Sequence, residues 1–242
     1  MQQIDKVLVF DIWGDFAHFR RIETTTSPLT YSIPTGTALS GIVSAILGQE
    51  RDSYYNVFHP ENVRWAVRVL HPLKKIRINI NLINTKLGFY LWDIIQGKEQ
   101  PRSPTPFEFL KEPKYRIYIW LKDKELQNKL KKYLQNHQSF YTPYLGISEL
   151  IANFNFVGEF DNVIELKSKN KEEVHTVIRK DRSTLIVDEE GLHIVKERIP
   201  LFMDSNRVVR EYVDVFFEAN AKPLKVKDTS IYRIGNENVV FI

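Results

Sequence analysis

The order in which two hydrophobic patterns alternate along this chain limits its fold more than any other feature. Lys6 to Trp13 (KVLVFDIW) is dense in β-branched and aromatic residues and is closed by Gly14, the mark of a buried strand. Ala38, Leu39, Ile42, Val43 and Ile46 then recur at helical spacing. Thr35 or Thr37 is placed to cap that helix and Gly48 to end it. Arg64 to Leu70 (RWAVRVL) and Tyr115 to Leu121 (YRIYIWL) alternate as strands. A lysine-rich amphipathic helix follows, with Leu126, Leu130, Tyr133 and Leu134 as its inner stripe, and Ile151 to Phe160 is a fourth strand-like run. The order β-α-β-β-α-β predicts an α+β, ferredoxin-like (RRM-like) sheet with two helices on one face.

That pattern carries one departure. Its second and third strands should be joined by a short loop, yet some forty residues separate them, and a connection of that length is usually functional or disordered. Within it Lys75 to Leu82 alternates strictly. Ile76, Ile78, Ile80 and Leu82 fall on one side; Lys75, Arg77, Asn79 and Asn81 form a basic, hydrogen-bonding face on the other. The segment continues through NTKLGFYLWDIIQGKEQ into the proline-rich PRSPTPFEFLKEPK, and reads as an ordered arm over about residues 72–113. Its apolar side calls for a neighbour to cover it. Beyond about residue 162 the character changes. TLIVDEEGLHIVKERIP reads as a hairpin turning at Glu189–Gly191, IYRIGNENVVFI as another near Gly235–Asn238, and Arg210 to Glu218 alternates between them. The expected organisation is one domain over 1–161 and a small β-rich extension over 162–242, packed on the first because no Gly/Ser/Pro linker divides them.

Composition excludes several classes of function. There is no cysteine, hence no disulfide or thiolate metal site, which suits a reducing cytosol. The six histidines form no H-x-x-x-H or H-x-x-E-H pair, and neither a G-x-S-x-G elbow nor a D-x-D-x-D-G loop is present. No metal, cofactor or catalytic residue is expected. MQQIDKVLVFDIWG reads as a polar lead-in to a strand, and no apolar stretch would span a bilayer, so a cytoplasmic chain without a membrane partner is expected. A net charge of +4 favours an acidic partner only weakly.

Two stretches point towards nucleic acid. In YSIPTGTALSGIVSAILG (residues 31–48), Gly36 and Gly41 have the spacing of a Walker A loop, but Ile42 and Val43 stand where that loop needs Lys and Ser or Thr. What remains is a helix start with Thr35, Gly36 and Thr37 at the positive end of the dipole, a ready anion site, where Gly36 and Gly41 would let an RNA backbone or a neighbouring chain come close. The plainer reading is a capped helix whose small residues pack on the sheet. GDFAHFRR (residues 14–21) sets Arg20 and Arg21 beside Phe16 and Phe19, either for phosphates and bases or as solvated arginines beside core aromatics. Arg116, Tyr118 and Trp120 resemble a base-stacking face but lie on a strand apolar enough to be core. Lys124, Lys129, Lys131 and Lys132 read as a solvated helix face.

Taken together, FDIWGDFAHFRR with TYSIPTGTALSGIVSAILG, then RSPTPFEFLKEPKYRIYIWL, then YTPYLGISELIANFNFVGEF, resemble the CRISPR-associated Cas-five family of the RAMP superfamily. The resemblance spans most of the first 160 residues and is loose beyond them. It implies an antiviral-defence role as a non-catalytic subunit of a type I CRISPR surveillance (Cascade) complex, most like type I-B. Such a subunit holds the 5′ handle of the guide RNA, caps the filament of backbone RAMP subunits, contacts the large subunit, and meets target DNA only indirectly. Carried over by position, the handle lies against Arg20, Arg21, Tyr31, Thr35, Gly36, Thr37 and Ser40, with Gly146 and Ser148 opposite. The arm becomes a thumb on which Lys75, Arg77 and Arg102 meet phosphates. One branch of the family is a metal-independent endoribonuclease that uses a Tyr, Lys and His cluster. This chain has Tyr31 and His18, but Lys111 and Lys114 have no adjacent histidine, so cleavage is the alternative expectation.

Overall fold

A computed structural model describes residues 4–83, 95–97, 102–161 and 163–242. The first strand, β1 (Lys6–Trp13), buries Val7, Leu8, Val9, Phe10 and Ile12, and a strand apolar on both sides needs cover on both faces. Short strands β2 (Phe16–Ala17), β3 (Phe19–Arg20) and β4 (Thr30–Tyr31) follow, with β3 and β4 paired. Helix α1 (Gly36–Leu47) starts at Thr35, whose hydroxyl accepts from the Ala38 N–H at 3.2 Å, and stops at the left-handed Gly48. Next come β5 (Val63–Val69), the arm strands β6 (Lys75–Ile83) and β7 (Arg102–Lys111), and β8 (Lys114–Leu121). Helix α2 (Lys124–Gln135) is capped by the Asp123 carboxylate, which accepts from the N–H groups of Glu125 and Leu126. Strand β9 (Asn153–Asp161) starts two residues later than the pattern predicts, because Ile151 forms an isolated bridge with Tyr144.

The central sheet has the order β5-β8-β1-β9, antiparallel throughout, with Phe10 opposite Ile117 and Trp65 opposite Ile119. Both helices cover one face. There Leu8, Phe10, Ile12, Ile117 and Ile119 share a core with Leu39, Ile42, Val43 and Ile46 of α1 and Leu130 and Leu134 of α2. On the other face Val7, Val9, Tyr118 and Trp120 pack under Ile234, Val239 and Phe241. Tyr118 and Trp120 are therefore core residues, and Arg116 is bound to Asp11 at 2.8 Å rather than left free for a base.

The arm is a hairpin with Arg77 opposite Glu108 and Ile83 opposite Arg102. The NTKLGFYLWDIIQGKEQ segment lies largely outside the described residues. Ile78, Leu82 and Ile83 remain well exposed along it.

The last part of the chain contributes β10 (Ile164–Ser168), β11 (Glu172–Val174), β12 (Ile178–Arg179), β13 (Thr184–Ile186), β14 (Ile194–Met203), β15 (Val209–Glu218), β16 (Leu224–Lys227), β17 (Thr229–Ile234) and β18 (Glu237–Val239). The hairpin predicted within TLIVDEEGLHIVKERIP does not form. Strand β13 pairs with β16, and β14 pairs with β15. Asp188 and Glu189, at the expected turn, instead bind Lys171 and Lys225. The second hairpin does form, with Tyr232 opposite Val239 and Ile234 opposite Glu237. Ile199, Leu201, Val213, Val215 and Phe217 belong to the same core as both helices, so this β-rich part is continuous with the first.

Candidate nucleic-acid interface

The start of α1 borders a cavity of about 280 Å³. Six of the residues predicted from the sequence line it: Arg20, Tyr31, Thr35, Thr37, Ser40 and Gly146. The Thr35 and Thr37 hydroxyls are 2.9 Å apart, and Ser40 turns its hydroxyl onto the Gly36 carbonyl at 2.8 Å. Thr37 is thus the half-exposed hydroxyl at the positive end of the helix. The far wall is missing from the sequence reading: Tyr54 and Tyr55 from the loop after α1, and Phe202 and Met203 from β14. The tyrosine pair was a visible signal. The β14 wall had none, because only tertiary packing brings it to α1.

The glycines explain that packing. A Cβ at Gly36 would stand 2.3 Å from the Leu201 carbonyl oxygen, and one at Gly146 (φ +102°) 2.0 Å from that of His18. Gly36 and Gly146 both require close approach, by the chain's own backbone and not by the RNA or neighbouring chain expected at Gly36, while a Cβ at Gly41 would meet only the Tyr54 hydroxyl at 3.9 Å.

The cations divide into two sets. Arg20 is exposed, and among the described residues its only polar side-chain contact is a long one of 3.5 Å to the Thr24 carbonyl. Arg21 instead bonds Glu197 at 2.6 Å and lies 5.1 Å from the centre of the Tyr31 ring. Lys75 donates to the Thr30 carbonyl at 3.0 Å and pairs with Glu108 at 3.2 Å and Glu197 at 3.9 Å. The Glu197 side chain is only 4 % exposed and also accepts from the Ser32 N–H at 2.9 Å and its hydroxyl at 2.8 Å. Arg21 and Lys75 therefore close a knot around buried Glu197 that joins β14, the arm and the loop before α1. Arg77 and Arg102 are exposed on the arm, with no ion pair among the described residues. Ser148 is exposed outside the cavity and reaches Glu149 at 3.1 Å.

The residues of the alternative reading lie deeper. His18 is 1 % exposed, its Nδ1–H donates to the Glu108 carbonyl at 2.7 Å, and its Nε2 is buried without a partner among the described residues. Burial holds its pKa below the ordinary histidine value. Burial, then the charge of Glu23, pushes the Tyr31 phenol up to about 12. Lys114 sits over the Trp13 ring at 5.3 Å, and Lys111 is 3.9 Å from Glu112. Among the described residues no group of three or more His, Asp or Glu side chains is arranged to hold a metal, and no helix is long and apolar enough to cross a membrane.

The profile of the family described as CRISPR-associated protein (Cas_Cas5) matches residues 7–217. The chain belongs to this family. No curated protein sequence matches it. In fold it is similar to a crystal structure described as a CRISPR protein from Archaeoglobus fulgidus, at 15% identity and TM-score 0.58 over 97% of each chain. It is also similar to a chain in a structure described as a CRISPR RNA-guided surveillance complex, at 14% identity and TM-score 0.51, over 90% of this chain and 91% of that one.

Proposed function

We propose that the chain is a non-catalytic subunit of a type I CRISPR surveillance (Cascade) complex, most like type I-B, working in the cytoplasm and holding the 5′ handle of the guide RNA. The observation that carries this reading is the cavity at the start of α1, which Arg20, Thr37 and Gly146 line at a positive helix end beside half-buried aromatic walls. The order β9-β1-β8-β5 with both helices on one face supports a ferredoxin-like core. The β6–β7 hairpin then serves as a thumb, with Arg77 and Arg102 towards phosphate. Its exposed Ile78, Leu82 and Ile83 suit cover by a backbone or large subunit of the complex. The absence of cleavage in this reading is supported by the burial of His18 and by a Tyr31 phenol whose raised pKa makes it a poor base at neutral pH.

The test is incubation of the purified chain with labelled CRISPR repeat RNA in excess chelator, followed by native and denaturing gels. Intact RNA, with a shifted band that Arg20→Ala weakens, is the expected result. One discrete cut overturns the non-catalytic assignment, and a shift unaffected by Arg20→Ala and Thr37→Val overturns the site.

A further inference from the structure

A second cavity, of about 470 Å³, opens on the sheet face opposite the two helices, among Ile4, β10, β17 and the end of the chain. Four cations line it: Arg64 from β5, Lys167 from β10, and Lys169 and Arg182 from the connections that follow β10 and β12. Asp228 is the one carboxylate on the wall, and among the described residues none of the four cations has a carboxylate within ion-pairing distance.

Several other cations of this chain are neutralised by carboxylates. Arg68 and Arg116 share Glu237, and Arg179 holds Asp181 and Glu211 only three residues before Arg182. Burial, and then the neighbouring charge of Arg179, make the protonated form of Arg182 harder to keep. Arg64 is half-buried and Lys167, Lys169 and Arg182 are exposed at the mouth, so the cavity gathers a positive potential that an anion would complete.

The rest of the lining suits a particular anion. Half-buried Tyr232 stands edge-on to Phe241, with ring centres 5.1 Å apart, beside the hydroxyls of Ser168 and Ser230. Cations with hydroxyls for phosphate, and an aromatic side chain for an unstacked base, are the equipment of single-strand binding. We propose that this cavity is a second nucleic-acid site, which takes the sugar–phosphate backbone of a single strand and sets a base against Tyr232. It is independent of the cavity at α1 and lies on the other side of the sheet.

The experiment uses the full chain carrying Arg20→Ala, so that binding at the first site is already weakened, with and without Lys167→Gln/Lys169→Gln/Arg182→Gln. Fluorescence anisotropy with labelled oligo(U) and oligo(dT) of about a dozen nucleotides is read across a salt series. Each single-strand phosphate contact contributes about 0.7 to the slope of log K against log salt, so losing three should lower it by about 2 and weaken low-salt binding at least about tenfold. Unchanged affinity and slope would overturn the proposal. So would a site that prefers ATP, pyrophosphate or an oligo-glutamate peptide to the strand. Photocrosslinking of a thiouridine strand to the unmodified chain gives a readout free of any folding defect. Crosslinks within 164–169 or 228–234 support the site, and crosslinks confined to residues around α1 overturn it.

Discussion

At the root of the arm Lys75 pairs with Glu108 and Glu197 and donates to the Thr30 carbonyl, whereas Arg77, two residues along the same strand and likewise exposed, has no ion pair among the described residues. The same contrast separates Arg21 from Arg20, neighbours in sequence. One of each pair is bound into the knot around Glu197, and the other has no ion pair among the described residues, as the proposed phosphate contact requires. The difference teaches that a basic residue beside the candidate site has two possible employments. Nearby buried carboxylates decide between them, because a carboxylate removed from water must be compensated by charge or hydrogen bonds.

The sharpest way to break this comparison is at Glu197. Glu197→Ala leaves Arg21, Lys75 and the Ser32 donors short of an acceptor and should destabilise the fold by about 3 kcal/mol, the low end for breaking a buried pair because Arg21 is partly solvated. Glu197→Gln, which keeps an acceptor for Ser32, should lose less. Urea unfolding measures both, and an alanine loss below about 1 kcal/mol would show the knot to be incidental. Next comes Gly36→Ala, whose new Cβ meets the Leu201 backbone oxygen. About 2 kcal/mol of overpacking is expected, with a matching fall in Tm.

A smaller effect concerns how the C-terminal hairpin is held to the sheet. Burial raises the pKa of Glu237, but hydrogen bonds from Tyr118 and Arg68 outweigh it and leave the carboxyl below its ordinary 4.5. A depressed carboxylate contributes stability that is complete above its unfolded-state value and is lost as pH falls through the lower folded one. Stability should therefore decline below about pH 4.5, and Glu237→Gln should flatten that part of the pH profile; an unchanged profile counts against the anchor. Smallest in stability are Arg77→Ala and Arg102→Ala, which should move unfolding by no more than about 0.5 kcal/mol. Each should lower the salt slope of repeat-RNA binding by about 0.7. A destabilised Arg77→Ala would erase the distinction between root and reach.

Much of this arrangement was legible from residues close together in the chain. The caps at Thr35 and Gly48, the apolar stripe of α1, the alternation of β8 and the turn at Gly235 depend on neighbours a few positions apart. The hairpin misread around Glu189 shows the limit. The partner of β13 is β16, which comes some forty residues later, while the local turn signal belongs to acidic residues paired with Lys171 and Lys225. The same limit governs the site. Six expected residues do converge at α1, but Arg21 was read as free because its carboxylate lies 176 positions away. Gly36 was read as a place where an RNA backbone or another chain could come close, and nothing local could say that the chain's own Leu201 fills it.

That contact at Leu201 also sets a timetable. A chain made from its N-terminus presents Arg20, Thr37 and the α1 start to the cell well before β14 exists to wall the cavity or Glu197 to anchor Arg21. A nascent chain arrested before Ile194 should therefore hold no repeat RNA, and one released past Met203 should. Strand β14, made late in the chain, acts as the clasp, so on the proposed function guide capture waits for its synthesis.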